Sequence, residues 1–383
     1  MYLEQLHLTR FRNYLNCSVK FKAQKTILLG QNAQGKSNLL EAIELLATLK
    51  SHRTTKDQDL VYKDAEVGQV EAVVQRLYSS STLTLTLRQK GRRTVAINQE
   101  TLRRQIDFLG RLNAVEFSSL DLDLVRGSPE KRRHWLDALL IQIEPVYAYI
   151  LQEYNRVLRQ RNALLKTIRK SLYEDEVSSN VENSTWEQLA LWDVQLAANG
   201  SRVMRRRARV MERLAPIAQQ WHSRISKHTE QLEIAYAPNV TWLDDDPQTV
   251  QQAILDRIQL RQVAEQNLGT TVVGPHRDEV EFSINETPAR SYGSQGQQRT
   301  LVLALKLAEL ELIEKVVGEP PLLLLDDVLA ELDLDRQNQL LAAIEDRFQT
   351  LITTTHISSF DQQWVQSSQI LTVEKGEIVN QSG

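Results

Sequence analysis

Residues Ile27–Leu46 read ILLGQNAQGKSNLLEAIELL, and the three parts of this stretch call for three different backbones. Thr26–Leu29 is a short apolar run ending in glycine, as a buried strand does. From Ser37 to Leu49, the side chains Leu39, Ile43, Leu46 and Leu49 recur at helical spacing. Between them Gly30, Gln31, Asn32, Ala33, Gln34, Gly35, Lys36 and Ser37 match G-x-x-x-x-G-K-[ST], a phosphate-binding loop in the strand–loop–helix context that the chemistry needs. Gly35 lets the backbone approach a phosphate. Lys36, read as a solvent-facing loop charge, serves the β- and γ-phosphates of ATP, and Ser37 offers a hydroxyl to Mg2+. Asn32-Ala33 stands where many such loops carry Asn-Gly.

A second stretch, PPLLLLDD at Pro320–Asp327, sets two carboxylates at the end of an apolar strand. Asp326 suits a Mg2+ ligand, and Asp327 suits the group that polarises an attacking water. A core strand with a solvated acidic end has the same pattern. Glu331-Leu332-Asp333 follows closely, and Thr355-His356 ends the next apolar run, which makes His356 a further catalytic candidate.

A third, SYGSQGQQRTLVLALKLAEL at Ser291–Leu310, places a Gly/Ser/Gln loop before an amphipathic helical pattern of Leu301, Ala304, Leu305, Ala308 and Leu312. Ser294, Gly296 and Gln297 then stand at a helix N-terminus, where free N–H groups favour an anion. A capped helix after a flexible loop fits the same residues.

Around these motifs the composition is that of an ordinary globular protein, with 25% charged and 42% apolar residues in 383. A net charge of −3 carries no global basic signal, so any nucleic-acid surface must be local. Cys17 is the only cysteine, which excludes an intrachain disulfide and a cysteine-built metal site. The start MYLEQLHLTRFRNYLN lacks a signal-peptide core, and Leu322–Leu325 is too short to span a bilayer. These features predict a cytoplasmic protein without a membrane partner.

Alternation at Val70, Ala72, Val74 and at Leu83, Leu85, Leu87, with a Lys90-Gly91-Arg92 turn before Val95 and Ile97, predicts an antiparallel sheet. Long helical patterns dominate from about 120 to 265, as in Tyr147–Ile168 and Trp186–Ile225, with a polar loop at Glu174–Ser184. Strand patterns return at Leu322–Leu325, Leu351–Thr355 and Ile370–Val373. The expected fold is an α/β domain assembled from 1–120 and 266–383, with a mainly helical domain inserted at 121–265.

Phosphate loop, Ser-Gln-Gly-Gln-Gln, leucine strand with acids, Leu-Asp and strand-end His occur in that order, which resembles an ABC-type ATPase head. That resemblance implies that Ser294 and Gly296 read the γ-phosphate bound by a second protomer, giving an ATP-dependent homodimer. LHLTRFRNY at the N-terminus, KSHRT at Lys50–Thr54, LVRGSPEKRRHWLD at Leu124–Asp137, YNRVLRQRNALLK at Tyr154–Lys166, GPHRDEV at Gly274–Val280 and LLLLDDVLAELD at Leu322–Asp333 are similar to the RecF family, related to SMC heads. The RecF resemblance implies binding to single-stranded or gapped duplex DNA, weak DNA-stimulated ATP hydrolysis, and work with RecO and RecR in loading RecA at gaps. Two departures stand out. Residues Glu116–Asp121 read EFSSLD where the family usually has Phe-Ser-Pro-Glu-Asp. Asp327 replaces the Glu of transporter-type relatives, which suits slow turnover.

For DNA contact the chain offers Arg126, Lys131, Arg132 and Arg133, and a second cluster of Arg202, Arg205, Arg206, Arg207, Arg209 and Arg213 opposed nearby only by Glu212. Such guanidinium groups would pair with phosphates without reading sequence, and a solvated helix face explains either cluster alone. Arg12-Asn13, His52-Arg53 and His276-Arg277 either approach the nucleotide or form structural hydrogen-bonding pairs. Two other classes fit part of the pattern. A transporter's nucleotide-binding subunit would not ordinarily carry so large a helical insertion between Lys36 and Ser294, and a helicase would need tandem motor cores.

Overall fold

Leu322 and Leu324 point into one apolar core and Leu323 and Leu325 into another, because successive side chains of a strand leave on opposite faces. That split explains the leucine run: the strand is buried on both sides. It belongs to a sheet whose order is Glu377–Ser382, Ser368–Glu374, Lys25–Leu29, Thr350–Thr354, Leu322–Asp326, Ala114–Ser118. Every pairing is parallel except that of the edge strand Glu377–Ser382. Strands from both ends of the chain thus lie side by side, with Leu28 opposite Thr353 on one flank and Leu371 on the other.

On one face lie the helix Lys36–Thr48 and a six-stranded antiparallel sheet. In that sheet Val67–Gln75, Ser80–Arg88 and Thr94–Ile97 follow the predicted alternation. On the other face lies the helix Gln295–Val317. The expected amphipathic pattern is corrected here: every residue from Thr300 to Leu310 is buried, as befits a helix enclosed by its neighbours. Lys306 and Glu309 enter that interior only as ion-paired groups.

The middle of the chain holds two long helices, Val146–Tyr173 and Asn183–Ile225. It also holds the strand Leu232–Ala237, which its residue pattern did not announce. This strand pairs with Glu279–Ile284 and joins the helical region to the C-terminal part. The structure is a computed structural model and describes residues 1–173, 183–344, 347–357, 360 and 362–382. The loop expected at 174–184 lies outside them but for its last two residues, which open a helix.

Candidate nucleotide-binding site

The phosphate loop leaves the central strand at Gly30, whose N–H donates to the Thr354 carbonyl at 3.2 Å. A side chain at Gly35 would be doubly opposed: φ is +120°, and a Cβ would stand 2.8 Å from the Asn13 amide and 2.9 Å from the Tyr14 hydroxyl. Those two neighbours hold the loop. Asn13 donates to the Gln34 carbonyl and Tyr14 to the Gly35 carbonyl, both at 2.9 Å. From the other side the Gly376 N–H donates to the Gln34 carbonyl at 2.9 Å. Ala33 takes φ +64°, a left-handed conformation that costs a residue with a Cβ roughly 1–2 kcal/mol.

Lys36 is not the solvent-facing charge expected from its loop. It is 4% exposed, and its ammonium donates to the carbonyls of Gly30 and Gln31 at 2.8 and 3.1 Å, folded back over the loop. Ser37 Oγ donates to Asp326 at 2.7 Å across 289 residues of sequence. Thr353, which the motifs did not single out, donates to the same Asp326 oxygen at 2.8 Å and accepts the Asp327 N–H at 2.8 Å. Ser37 and Asp326 are both hard oxygen donors, the kind that Mg2+ takes alongside water and phosphate, so the pair fits that ion. Asp327 bends the chain out of the strand with φ +53°. His356 is exposed just past the Thr350–Thr354 strand, and its N–H donates to Thr354 Oγ1 at 3.2 Å.

The Ser294 loop is built differently. Ser294 is exposed and caps the Gln295–Val317 helix: its Oγ accepts the Gln297 N–H at 3.2 Å, while the Gln297 side chain accepts the Ser294 N–H at 2.8 Å. This reciprocal pair is a capping box. Arg336 ties the loop to the segment after the acidic strand, donating to the Gly296 carbonyl at 3.2 Å, to Thr300 Oγ1 at 2.9 Å and to Asp333.

Fold-borne partners change the reading of the arginine clusters. Arg132 has a side chain only 5% exposed, held by Glu279 at 2.7 Å, and so cannot present its charge to DNA. Arg133 donates to the Asp278 carbonyl at 2.7 Å, and Arg126 to Gln298 at 2.6 Å on the Ser294-capped helix. Nor is Glu212 the sole opposing charge in the second cluster. Asp245 takes both Arg205 and Arg209, Glu144 takes Arg206, and the buried Arg207 bridges Asp137 and Asp278. The carboxylates come from distant sequence, so local spacing could not reveal them.

Arg12 pairs twice with Glu41 of the phosphate-loop helix, at 2.8 and 2.5 Å. His276 is a structural residue: Tyr154 lies 2.6 Å from Nδ1 and the Thr271 carbonyl 3.1 Å from Nε2. Because only a protonated Nε2 can serve that carbonyl, Nδ1 accepts from Tyr154. Burial pushes the ring's pKa down to about 4 and keeps it neutral.

Residues 2–379 match the family described as RecF/RecN/SMC N terminal domain. The chain is 66% identical to the "DNA replication and repair protein RecF" of Gloeothece citriformis, covering 99% of each. It is 66% identical to that of Microcystis aeruginosa, covering 99% of this chain and 100% of the relative. A solved structure of the recombination mediator protein RecF-ATP in the RecFOR pathway superposes with a TM-score of 0.88 at 32% identity, over 100% of this chain and 98% of the other. The Smc head of Pyrococcus furiosus, with TM-score 0.53 and 15% identity over 98% and 94%, shares the fold.

Proposed function

Since the chain belongs to the RecF family of DNA replication and repair proteins, a family of ATP-binding ATPases, we propose that it is an ATP-gated recombination mediator. It binds single-stranded or gapped duplex DNA as an ATP-dependent homodimer, works with RecO and RecR to load RecA at gaps, and leaves on slow hydrolysis. The observation that carries this reading is the Ser37–Asp326 contact. It unites the phosphate loop with the acidic strand in one chain, while the Ser294 loop has its own separate set of partners. A transporter subunit is disfavoured by the full-length likeness to repair proteins. Among the described residues, no helix is long and apolar enough to cross a membrane.

In this reading residues 1–120 and 266–383 form the head and 121–265 the insertion. Lys36 turns from the loop carbonyls to the β- and γ-phosphates, a short swing that replaces neutral acceptors with anionic ones. Mg2+ held by Ser37 and Asp326 would neutralise the same phosphates. Asp327, aimed by its N–H contact to Thr353, accepts the proton of the attacking water. His356 lies past the neighbouring strand end, placed to sense the γ-phosphate. Sedimentation of the chain with and without ATP, and with and without gapped DNA, tests the reading. ATP should convert monomer to dimer and strengthen salt-sensitive DNA binding. A chain that stays monomeric with ATP and DNA present overturns it.

A further inference from the structure

Three ligating side chains that the nucleotide site does not use meet where the phosphate-loop helix passes the edge strand Ala114–Ser118. Glu44 lies on the helix, Glu116 on the strand, and His52 on the turn that follows the helix. His52 Nδ1 is 2.8 Å from Glu44 Oε2 and 2.9 Å from Glu116 Oε2, and the three ligand atoms lie within 4.8 Å of one another. We propose that Glu44, His52 and Glu116 form a binding site for a divalent transition-metal ion, with Zn2+ the ion that one imidazole and two carboxylates best suit.

Two observations beyond proximity carry this. One ring nitrogen faces two carboxylate oxygens, and a single N–H serves only one of them well. The other oxygen of Glu116, Oε1, is buried and has no hydrogen-bond partner, on a side chain that is 11% exposed. A buried carboxylate oxygen left unpaired is costly, and an ion between the two carboxylates would relieve it.

Three protein ligands keep a fourth position for water, and the His52 N–H, 3.2 Å from Glu44 Oε2, orients a ligand carboxylate. The ion would pin the phosphate-loop helix to the edge strand, far along the chain from the Mg2+ ligand Asp326.

The experiment titrates Zn2+ into the untagged full chain without nucleotide, against a chromophoric chelator. Parent, His52→Ala and Ser37→Ala are compared, the last removing a Mg2+ ligand and leaving the triad whole. Expected is one Zn2+ per chain in the parent and in Ser37→Ala, with affinity at least about 100-fold weaker in His52→Ala. Zinc-edge X-ray absorption of the loaded parent needs no variant and should show one imidazole among oxygen ligands. Equal affinity in parent and His52→Ala, a shell with two or more imidazoles, or no stoichiometric binding overturns the proposal.

Discussion

The phosphate loop and the Ser294 loop are both glycine-bearing turns that open a helix, yet they spend their hydrogen bonds in opposite ways. The first is held from outside, by Asn13 and Tyr14 on one flank and Gly376 on the other, with Lys36 turned inward. The second caps itself through the Ser294–Gln297 pair, is anchored from outside only by Arg336 at Gly296 and Thr300, and keeps Ser294 exposed. A loop gripped by its own fold is prepared for a ligand of that fold. A self-capped, exposed helix start is suited to a ligand brought by another molecule.

The sharpest test of this division is Asp327→Asn. An amide holds water without taking its proton, so hydrolysis should fall by about 10²–10⁴-fold while ATP still binds and still drives dimerisation. Phosphate release beside a nucleotide titration reads both, and unchanged turnover would place the water-activating group elsewhere. Next in size, Lys36→Ala should weaken ATP roughly 100-fold, since it removes charge-assisted bonds worth about 1.5–3 kcal/mol each. Melting of the variant should stay close to that of the parent, because the lost contacts are to loop carbonyls that water can serve.

Ser294→Arg attacks the other loop. Binding of ATP to the isolated chain should be unchanged within about twofold, and ATP-dependent dimerisation should weaken more than about tenfold, a loss of at least about 1.4 kcal/mol. Sedimentation alongside titration separates the two. Loss of ATP binding by the monomer would mean that both loops serve one nucleotide. The smallest effect belongs to Ala33→Gly, which removes the cost of the left-handed Cβ but frees the unfolded chain, for a net gain of at most about 1 kcal/mol. A lower melting temperature in that variant would show that Ala33 contributes packing that outweighs its backbone.

The two loops also mark what the residue order made readable. GQNAQGKS announced itself because phosphate chemistry dictates residue types at fixed spacing, and PPLLLLDD because a doubly buried strand leaves an unbroken apolar run. Thr353 did not, since a threonine near a strand end has no signature until Asp326 stands beside it. The residue order points Arg12-Asn13 toward the nucleotide, but the grip of Asn13 and Tyr14 on the loop carbonyls has no signature, being set by a hairpin folding over Gly35. The arginines failed for the converse reason. Spacing displays charge, but Glu279, Asp245 and Glu144 neutralise it from elsewhere in the chain. Helix Gln295–Val317 misled through its periodicity, because the residues between its leucines and alanines are buried too.

The pairing of Lys25–Leu29 with Thr350–Thr354 has a consequence for biosynthesis. The strand that carries the phosphate loop leaves the ribosome early, and its neighbour follows about 320 residues later, roughly 20–60 s at ordinary elongation rates. Until then Lys25–Leu29 has two unpaired edges and no strand joins it to the one that carries Asp326. A chain broken off by stalled translation anywhere before Thr350 would therefore lack a finished nucleotide site, whatever else of it had folded. Coupling the first motif to the last strands makes ATP binding a test of whole-chain synthesis, and incomplete products would be excluded from any step that ATP gates.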